Sequence, residues 1–133
     1  MVRRLCPATL RVLTAAREHG LFVVHTRDGH APDLADLTPA KRNRGRPGHG
    51  IGDPSPLGRM LVRGEPGHDI VPEPRPHPGE PVVDKPGKGG VHATALDLIP
   101  HGAGVRHLLI TGVTTEVCVA ARSAKPPTAA TPA

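Results

Sequence analysis

The distribution of proline and glycine constrains this chain more than any other feature. Most of its 17 prolines and 16 glycines lie between residues 29 and 80, and neither residue type is suited to a helix interior or a central strand. We therefore predict a long irregular connection there, of the kind that is usually functional or disordered. Four histidines with proline or glycine close by are expected to be exposed: His49, His68, His77 and His101.

Composition limits what this chain can bury. Its 133 residues are enough for one small domain, but 37% of them are hydrophobic and only one is aromatic, so a large core is excluded. The formal net charge is +5, and the densest basic run, residues 41–46, falls in the irregular connection. Because a single aromatic side chain provides no platform on which bases could stack, nucleic-acid binding is disfavoured, and a basic binding module is kept as a minor alternative.

The sequence also indicates where the protein resides. No apolar run is long enough to span a membrane and no secretory signal is recognisable, so we expect no membrane partner and no export. Two cysteines, Cys6 and Cys118, cannot form a disulfide framework. A cytoplasmic, reducing setting is therefore expected.

Helix and strand patterns alternate on either side of the irregular connection. The sequence predicts helices over residues 7–19, 92–99 and 114–121, and strands over residues 21–24, 81–84 and 106–113. Pro7 is expected in the first turn of its helix, Gly20 at the C-terminal cap of that helix, and Pro100 as the end of the second helix. One further helical turn is expected near Met60. Strands that alternate with helices favour an α/β fold with a parallel sheet.

Three residues with reactive side chains follow the predicted strands. Asp28, Lys85 and Cys118 stand where the carboxyl ends of parallel strands meet, which is where sites form in open α/β sheets. Cys118 falls in the first turn of a predicted helix, whose unpaired N–H groups lower the pKa of a thiol and can hold an oxyanion. Lys85 would add a second positive charge. A small buried apolar residue is the alternative interpretation of Cys118.

Four segments resemble the isochorismatase-like cysteine hydrolases. Residues 82–90 with 92–94 are similar to the lysine segment of that family, and residues 112–119 are similar to its nucleophile segment. Residues 24–30 and 58–64 resemble the branch that contains biuret and ureido-compound amidohydrolases. The resemblance implies an incomplete three-layer parallel sheet of the Rossmann-like type, interrupted by the long Gly/Pro-rich loop.

The same resemblance implies an activity and a set of site residues. Cys118 would be the nucleophile, Lys85 the catalytic lysine, and the backbone N–H groups of Thr114 and Cys118 the oxyanion hole. The implied reaction cleaves a C–N bond of a small amide or ureido compound, such as biuret, through a thioester intermediate. It implies no cofactor and no metal, and full-length relatives would be homo-oligomers.

The two ends of the chain depart from the family pattern. The family's base is an Asp at the end of a strand that precedes the first helix, and no such strand stands before residue 7. Asp28 is the candidate substitute, and a loop carboxylate beside Arg27 is the alternative. We expect residues 1–123 to form a truncated hydrolase domain and residues 124–133 a disordered tail, compatible with a shifted reading frame. Impaired catalysis is expected; an inactive fragment or a small non-catalytic binding protein is the alternative.

Overall fold

A computed structural model describes residues 2–42, 46–87, 95–96 and 98–112 of the chain. Its elements are, in order, helix α1 (Val2–Glu18), strand β1 (His25–Asp28), helix α2 (Pro39–Arg42), strands β2 (Pro54–Ser55) and β3 (Gly58–Arg59), a 3₁₀ turn (Pro66–His68), strand β4 (Val82–Lys85) and helix α3 (Leu98–Gly102). No helix in these ranges is long and apolar enough to cross a membrane.

Helix α1 begins earlier than its sequence predicts. It starts at Val2, so Pro7 lies inside the helix and not in its first turn, and the prediction for Pro7 was wrong. Proline has no N–H group, so the helix continues through this position with one intrahelical hydrogen bond fewer.

The end of α1 confirms the predicted glycine cap. Gly20 has a φ of +65°, which is the left-handed conformation that glycine adopts without steric cost. The Leu21 N–H group donates to the carbonyl of Ala16 (2.9 Å) and the Gly20 N–H group to that of Arg17 (3.0 Å). These two bonds form a Schellman motif, which satisfies carbonyls that the helix end would otherwise leave unpaired.

Strands β1 and β4 pair in parallel, which confirms the predicted α/β arrangement. Their register runs from His25 opposite Val82 to Asp28 opposite Lys85. Strand β4 lies within one residue of its predicted position, but β1 does not. The apolar run 21–24, predicted as a strand, lies outside the ladder because β4 offers partners only from His25 onward.

The strand predicted over residues 106–113 is absent from the ladders of the described part. Residues 105–112 run without a turn, bend or helix, yet they pair with no described strand. Residue 113 lies outside the described residues, as does the predicted helix 114–121.

The long connection between β1 and β4 is mostly irregular, as predicted. It contains α2, the short antiparallel hairpin of β2 and β3, and the 3₁₀ turn. The helical turn expected near Met60 was wrong, because Met60 extends the hairpin. Its N–H group donates to the carbonyl of Asp53, and its carbonyl accepts from the N–H group of Gly52, both at 2.9 Å.

Helix α3 corrects the prediction for Pro100. The helix runs from Leu98 to Gly102 with Pro100 as its third residue. A residue in the first turn of a helix needs no N–H group for an intrahelical bond, so proline is tolerated there, and Pro100 does not end a helix. Most of the predicted helix 92–99 lies outside the described residues.

An ion-pair cluster connects α1 to the parallel sheet of β1 and β4. Arg17 of α1 donates from Nε and from a terminal nitrogen to the two carboxylate oxygens of Glu80, both at 2.7 Å, and the His25 ring lies 2.8 Å from the same carboxylate. The hydrogen bond from Arg17 is the largest cause that holds the pKa of Glu80 far below its ordinary value. Glu80 therefore stays ionised and links helix, strand and loop.

The buried core of the described part is small. Its apolar members come from separate segments: Leu13, Leu37, Val62, Val83 and Leu96. Three polar side chains are buried with them: His30, His68 and Lys85. The expectation that His68 is exposed was therefore wrong, whereas His49, His77 and His101 are exposed as predicted.

Candidate active site

Asp28 and Lys85, two of the residues singled out in the sequence, meet at the end of the parallel ladder. They occupy directly opposed positions of β1 and β4, so their side chains share one face of the sheet. The Lys85 amino group lies 3.4 Å from a carboxylate oxygen of Asp28 and donates to the Gly87 carbonyl at 3.3 Å. A buried ammonium group needs such partners to offset its lost hydration.

The two members of this pair differ in exposure. The Lys85 side chain is 8% exposed, and that of Asp28 is 32% exposed. The pair therefore presents a carboxylate to solvent and keeps its ammonium group inside. Asp28 is part of a strand and faces Lys85, so its interpretation as a loop carboxylate beside Arg27 was wrong.

Both side chains border a cavity of about 850 Å³. Helix α1 lines it together with residues 21–24, 105 and 107–112, and most of these side chains are apolar. Thr111 and Gly112, the last residues described before the predicted nucleophile helix, are among the lining residues. Cys118 and Thr114 themselves lie outside the described residues.

Arg27 and Asp84 occupy the opposite face of the same two strands. Arg27 donates from Nε and a terminal nitrogen to the two carboxylate oxygens of Asp84, at 2.8 and 3.1 Å, and also reaches Asp69 at 3.0 Å. The hydrogen bond to Asp84 is the largest cause of a raised pKa at Arg27. This two-point contact has demanding geometry and fixes the register that places Asp28 opposite Lys85.

His68 packs closely against the backbone that follows β1. Its Nε2 atom is buried and has no hydrogen-bond partner within the described ranges, although the Asp84 carboxylate lies 3.5 Å away. Burial is the main cause of a lowered pKa at His68, which favours the neutral form of the ring. A Cβ atom placed on Gly29 would approach the His68 ring to 2.4 Å, so the packing requires glycine at this position.

His30, two residues after Asp28, joins two of the segments that resemble the amidohydrolase branch. Its side chain is 1% exposed. Its N–H group donates to the Leu61 carbonyl (2.8 Å), and its carbonyl accepts from the Arg63 N–H group (2.9 Å). Residues 24–30 and 58–64 therefore contact each other directly, a relationship that the sequence did not predict.

The His30 ring belongs to a polar cluster that also holds the loop after β4. Its Nδ1 atom lies 3.1 Å from Asp36, and its Nε2 atom lies 3.5 Å from the Lys41 amino group, which donates to the Pro86 carbonyl. Burial acts to raise the pKa of Asp36, but hydrogen bonds from the Ala31 N–H group and from His30 outweigh it and lower the pKa. Within the described ranges no three His, Cys, Asp or Glu side chains are grouped as metal ligands.

Comparisons with known proteins place the chain in a family. The isochorismatase domain matches residues 2–124. The ureidoacrylate amidohydrolase of Yersinia enterocolitica is 30% identical over 113 residues, which cover 82% of this chain and 49% of that protein. The corresponding enzyme of Serratia proteamaculans is 31% identical over 120 residues, covering 82% and 46%. The chain thus spans about half the length of these curated relatives.

The fold comparison agrees with the sequence comparison. The crystal structure of N-carbamoylsarcosine amidase from Thermoplasma acidophilum superposes with a TM-score of 0.72 at 26% identity, over 92% of this chain and 61% of that one. The resemblance noted from the lysine and nucleophile segments is confirmed, and so is the α/β fold with a parallel sheet. The chain belongs to the isochorismatase family.

Proposed function

We propose that this protein is a cysteine-dependent amidohydrolase that cleaves a C–N bond of a small amide or ureido compound such as biuret. The observation that carries the proposal is the buried ammonium group of Lys85 beside the Asp28 carboxylate, at the carboxyl ends of two parallel strands and at the edge of a cavity. In open α/β sheets this is the position at which ligands bind.

In the proposed reaction the Cys118 thiolate attacks the substrate carbonyl carbon, and the N–H groups of Thr114 and Cys118 stabilise the oxyanion. The C–N bond then breaks, and the nitrogen leaves as ammonia or an amine after receiving the thiol's proton. The remaining thioester is hydrolysed by water, which releases the acid and restores the thiol. Asp28 accepts and returns the proton, while Lys85 orients Asp28 and favours the thiolate through its charge.

The position of Cys118 in this scheme is supported by its neighbours along the chain. Thr111 and Gly112 line the cavity that Asp28 and Lys85 border, and the predicted helix with Cys118 in its first turn follows directly. A helix N-terminus at this edge would direct N–H groups and positive partial charge toward the cavity. That arrangement suits both a reactive thiol and an oxyanion.

The ureido class is supported by the names of the relatives. Ureidoacrylate and N-carbamoylsarcosine both carry a carbamoyl group on nitrogen, and the proteins named for them match most of this chain. A cavity of about 850 Å³ lies within the range of small-molecule sites. We therefore propose the carbamoyl C–N bond as the bond that is cleaved.

We expect hydrolysis near the trace level. Positioned proton transfer contributes about 10²–10⁴-fold to such reactions. In this proposal the Asp28 carboxylate must serve the moving proton and the Lys85 ammonium group at once, which limits proton transfer.

The test combines turnover with thiol reactivity. Ammonia release from biuret and ureidoacrylate is measured with the purified chain, and hydrolysis should be abolished by Cys118→Ser. Brief iodoacetamide treatment followed by mass spectrometry should label Cys118 faster than Cys6 near neutral pH. Lys85→Met should slow the labelling of Cys118, because the thiolate loses a neighbouring cation.

The controls separate a catalytic role from simple loss of folding. Asp28→Asn should lower turnover, whereas Asp33→Asn, which changes an exposed carboxylate bonded to the Ala35 N–H group, should leave it unchanged. Circular dichroism establishes that each variant is folded. Equal labelling of Cys118 and Cys6 in the folded chain, or hydrolysis that survives Cys118→Ser, would overturn the proposal.

A further inference from the structure

A side chain from a distant helix holds the turn that follows β4. The parallel ladder ends at the pair of Asp28 and Lys85, and the next residue, Pro86, has no N–H group that could extend it. The amino group of Lys41, on α2, donates to the Pro86 carbonyl. A Cβ atom placed on Gly87 would lie 3.0 Å from the same amino group, so Lys41 is in direct contact with the backbone of this turn.

Lys41 and Lys85 donate to neighbouring carbonyls of the turn. Lys85 donates to the Gly87 carbonyl at 3.3 Å, and this carbonyl and that of Pro86 flank the same α-carbon. Glycine adopts a wider range of backbone conformations than other residues, so an unrestrained Gly87 would leave the direction of its carbonyl undetermined. The hydrogen bond from Lys41 fixes one of the two peptide planes and thereby limits the directions that are open to the other.

The buried ring of His30 orients Lys41 in turn. The Nε2 atom of this ring lies 3.5 Å from the Lys41 amino group, and its Nδ1 atom lies 3.1 Å from the Asp36 carboxylate. Because an ammonium group only donates and a carboxylate only accepts, Nδ1 carries the ring proton and the lone pair of Nε2 faces Lys41. The ring is 1% exposed and is held by close packing. His30 therefore restricts the position of the Lys41 amino group.

We propose that Lys41 is a positioning residue for Lys85, a role that rests on the hydrolase function proposed above. By holding the Pro86 carbonyl, Lys41 directs the Gly87 carbonyl toward the Lys85 ammonium group, which lies 3.4 Å from Asp28 on another side. A lysine that is held in place before the reaction loses less entropy during it. Lys41 is not among the described residues that line the cavity, so it acts through the turn and not on the substrate.

The test replaces Lys41 by methionine, which keeps the apolar stem of the side chain and removes its hydrogen-bond donor. Arg42→Met removes a positive charge from an exposed position of the same helix and is the matched control. Brief treatment with acetic anhydride, followed by mass spectrometry, measures the acetylation rate of the Lys85 amino group. Because Lys85 is buried, this rate depends on local opening of the turn. It should rise at least threefold in Lys41→Met and stay unchanged in Arg42→Met, with circular dichroism establishing that both variants are folded.

The kinetics of ureidoacrylate hydrolysis provide a second readout. In Lys41→Met, kcat per folded molecule should fall at least threefold while KM stays unchanged, because Lys41 does not border the cavity. In Lys41→Arg, which retains a cationic donor, kcat and the acetylation rate of Lys85 should both return toward the values of the wild type.

The two readouts distinguish this proposal from the proposed function. A wild-type chain that does not hydrolyse ureidoacrylate would count against the function, and the acetylation of Lys85 would still decide whether Lys41 positions it. Unchanged acetylation in folded Lys41→Met, or an equal rise in Arg42→Met, would overturn the role of Lys41 and leave the hydrolase function intact. An unchanged kcat in Lys41→Met would overturn that role as well.

Discussion

The Asp28 carboxylate lies 3.4 Å from the Lys85 amino group, at opposed positions of the parallel strands β1 and β4. Lys85 is almost fully buried, whereas about a third of the Asp28 side chain reaches solvent. Loss of the carboxylate would remove a partner that offsets the lost hydration of this buried cation. The pair therefore contributes to the stability of the sheet as well as to the candidate active site.

This coupling predicts a non-additive double mutant. Lys85→Met and Asp28→Asn are each expected to destabilise the fold, but the double variant should be more stable than the sum of the two predicts. The interaction should amount to about 1 kcal/mol, because the exposure of Asp28 allows solvent to screen the pair. Urea unfolding of the four proteins measures it. Agreement with additivity to within about 0.4 kcal/mol would mean that the two charges do not interact.

Gly29→Ala tests the close packing of the backbone against His68. The added methyl group would lie 2.4 Å from the ring, so the variant should lose about 1–3 kcal/mol of stability, as overpacked sites do. In a His68→Ala background the same change should cost much less. Gly102→Ala, at a position with no neighbouring atom within 4 Å, is the control and should be close to neutral. Equal losses from the two glycine changes would contradict the packing argument.

The Glu80 cluster predicts a specific dependence of stability on pH. Because its pKa is lowered in the folded state, the unfolded chain takes up the proton first as the pH falls. The stabilisation is therefore complete above the ordinary pKa near 4.5 and is lost progressively below it. Glu80→Gln should cost about 1–3 kcal/mol at pH 7, between the values for exposed and buried pairs.

The difference in the free energy of unfolding between the wild type and Glu80→Gln should shrink as the pH is lowered from 5 toward 3. Urea unfolding at a series of pH values gives the measurement. Glu73→Gln alters an exposed carboxylate that makes no ion pair with a described residue, and it should show no such trend. A difference that stays constant with pH would exclude ionised Glu80 as its source.

Gly20 tests the helix cap separately from packing. Its φ is +65°, and no atom lies within 4 Å of the position that a Cβ would take, so only backbone strain opposes a side chain there. Gly20→Ala should lower the stability of the fold by about 1 kcal/mol. Gly20→Asn should cost less, because asparagine tolerates the left-handed region better. Thermal unfolding distinguishes the two, and an alanine variant as stable as the wild type would contradict the cap assignment.

Local sequence patterns correctly predicted those features of the fold that depend on neighbouring residues. The glycine cap at Gly20 follows from a conformation that few other residues adopt, and β4 lies within one residue of its predicted place. Proline was misleading for a physical reason: its effect depends on where the helix begins. Helix α1 begins before Pro7, and α3 begins just before Pro100, so neither proline has the role that was predicted for it.

The features that the sequence did not predict depend on contacts between residues that are distant in the sequence. The apolar run 21–24 has the composition of a strand, but a ladder forms only where β4 lies opposite, from His25 onward. His68 was expected to be exposed because of its proline and glycine neighbours, but it is buried next to residues distant in the sequence. Strand ends did identify Asp28 and Lys85 as candidate site residues, whereas their separation of 3.4 Å depends on a register that no local pattern contains.

The parallel register has a consequence for how the chain folds. Arg27 and Asp84, which fix this register, are 57 positions apart, and the segment between them is largely irregular. The entropy of closing so long a loop must be lost before the first ladder bond forms, and such non-local pairings slow folding. Asp28 and Lys85 therefore meet late on the folding pathway. Until they meet, the apolar residues beside β1 are open to other chains, so the folding rate sets how long this protein is vulnerable to aggregation.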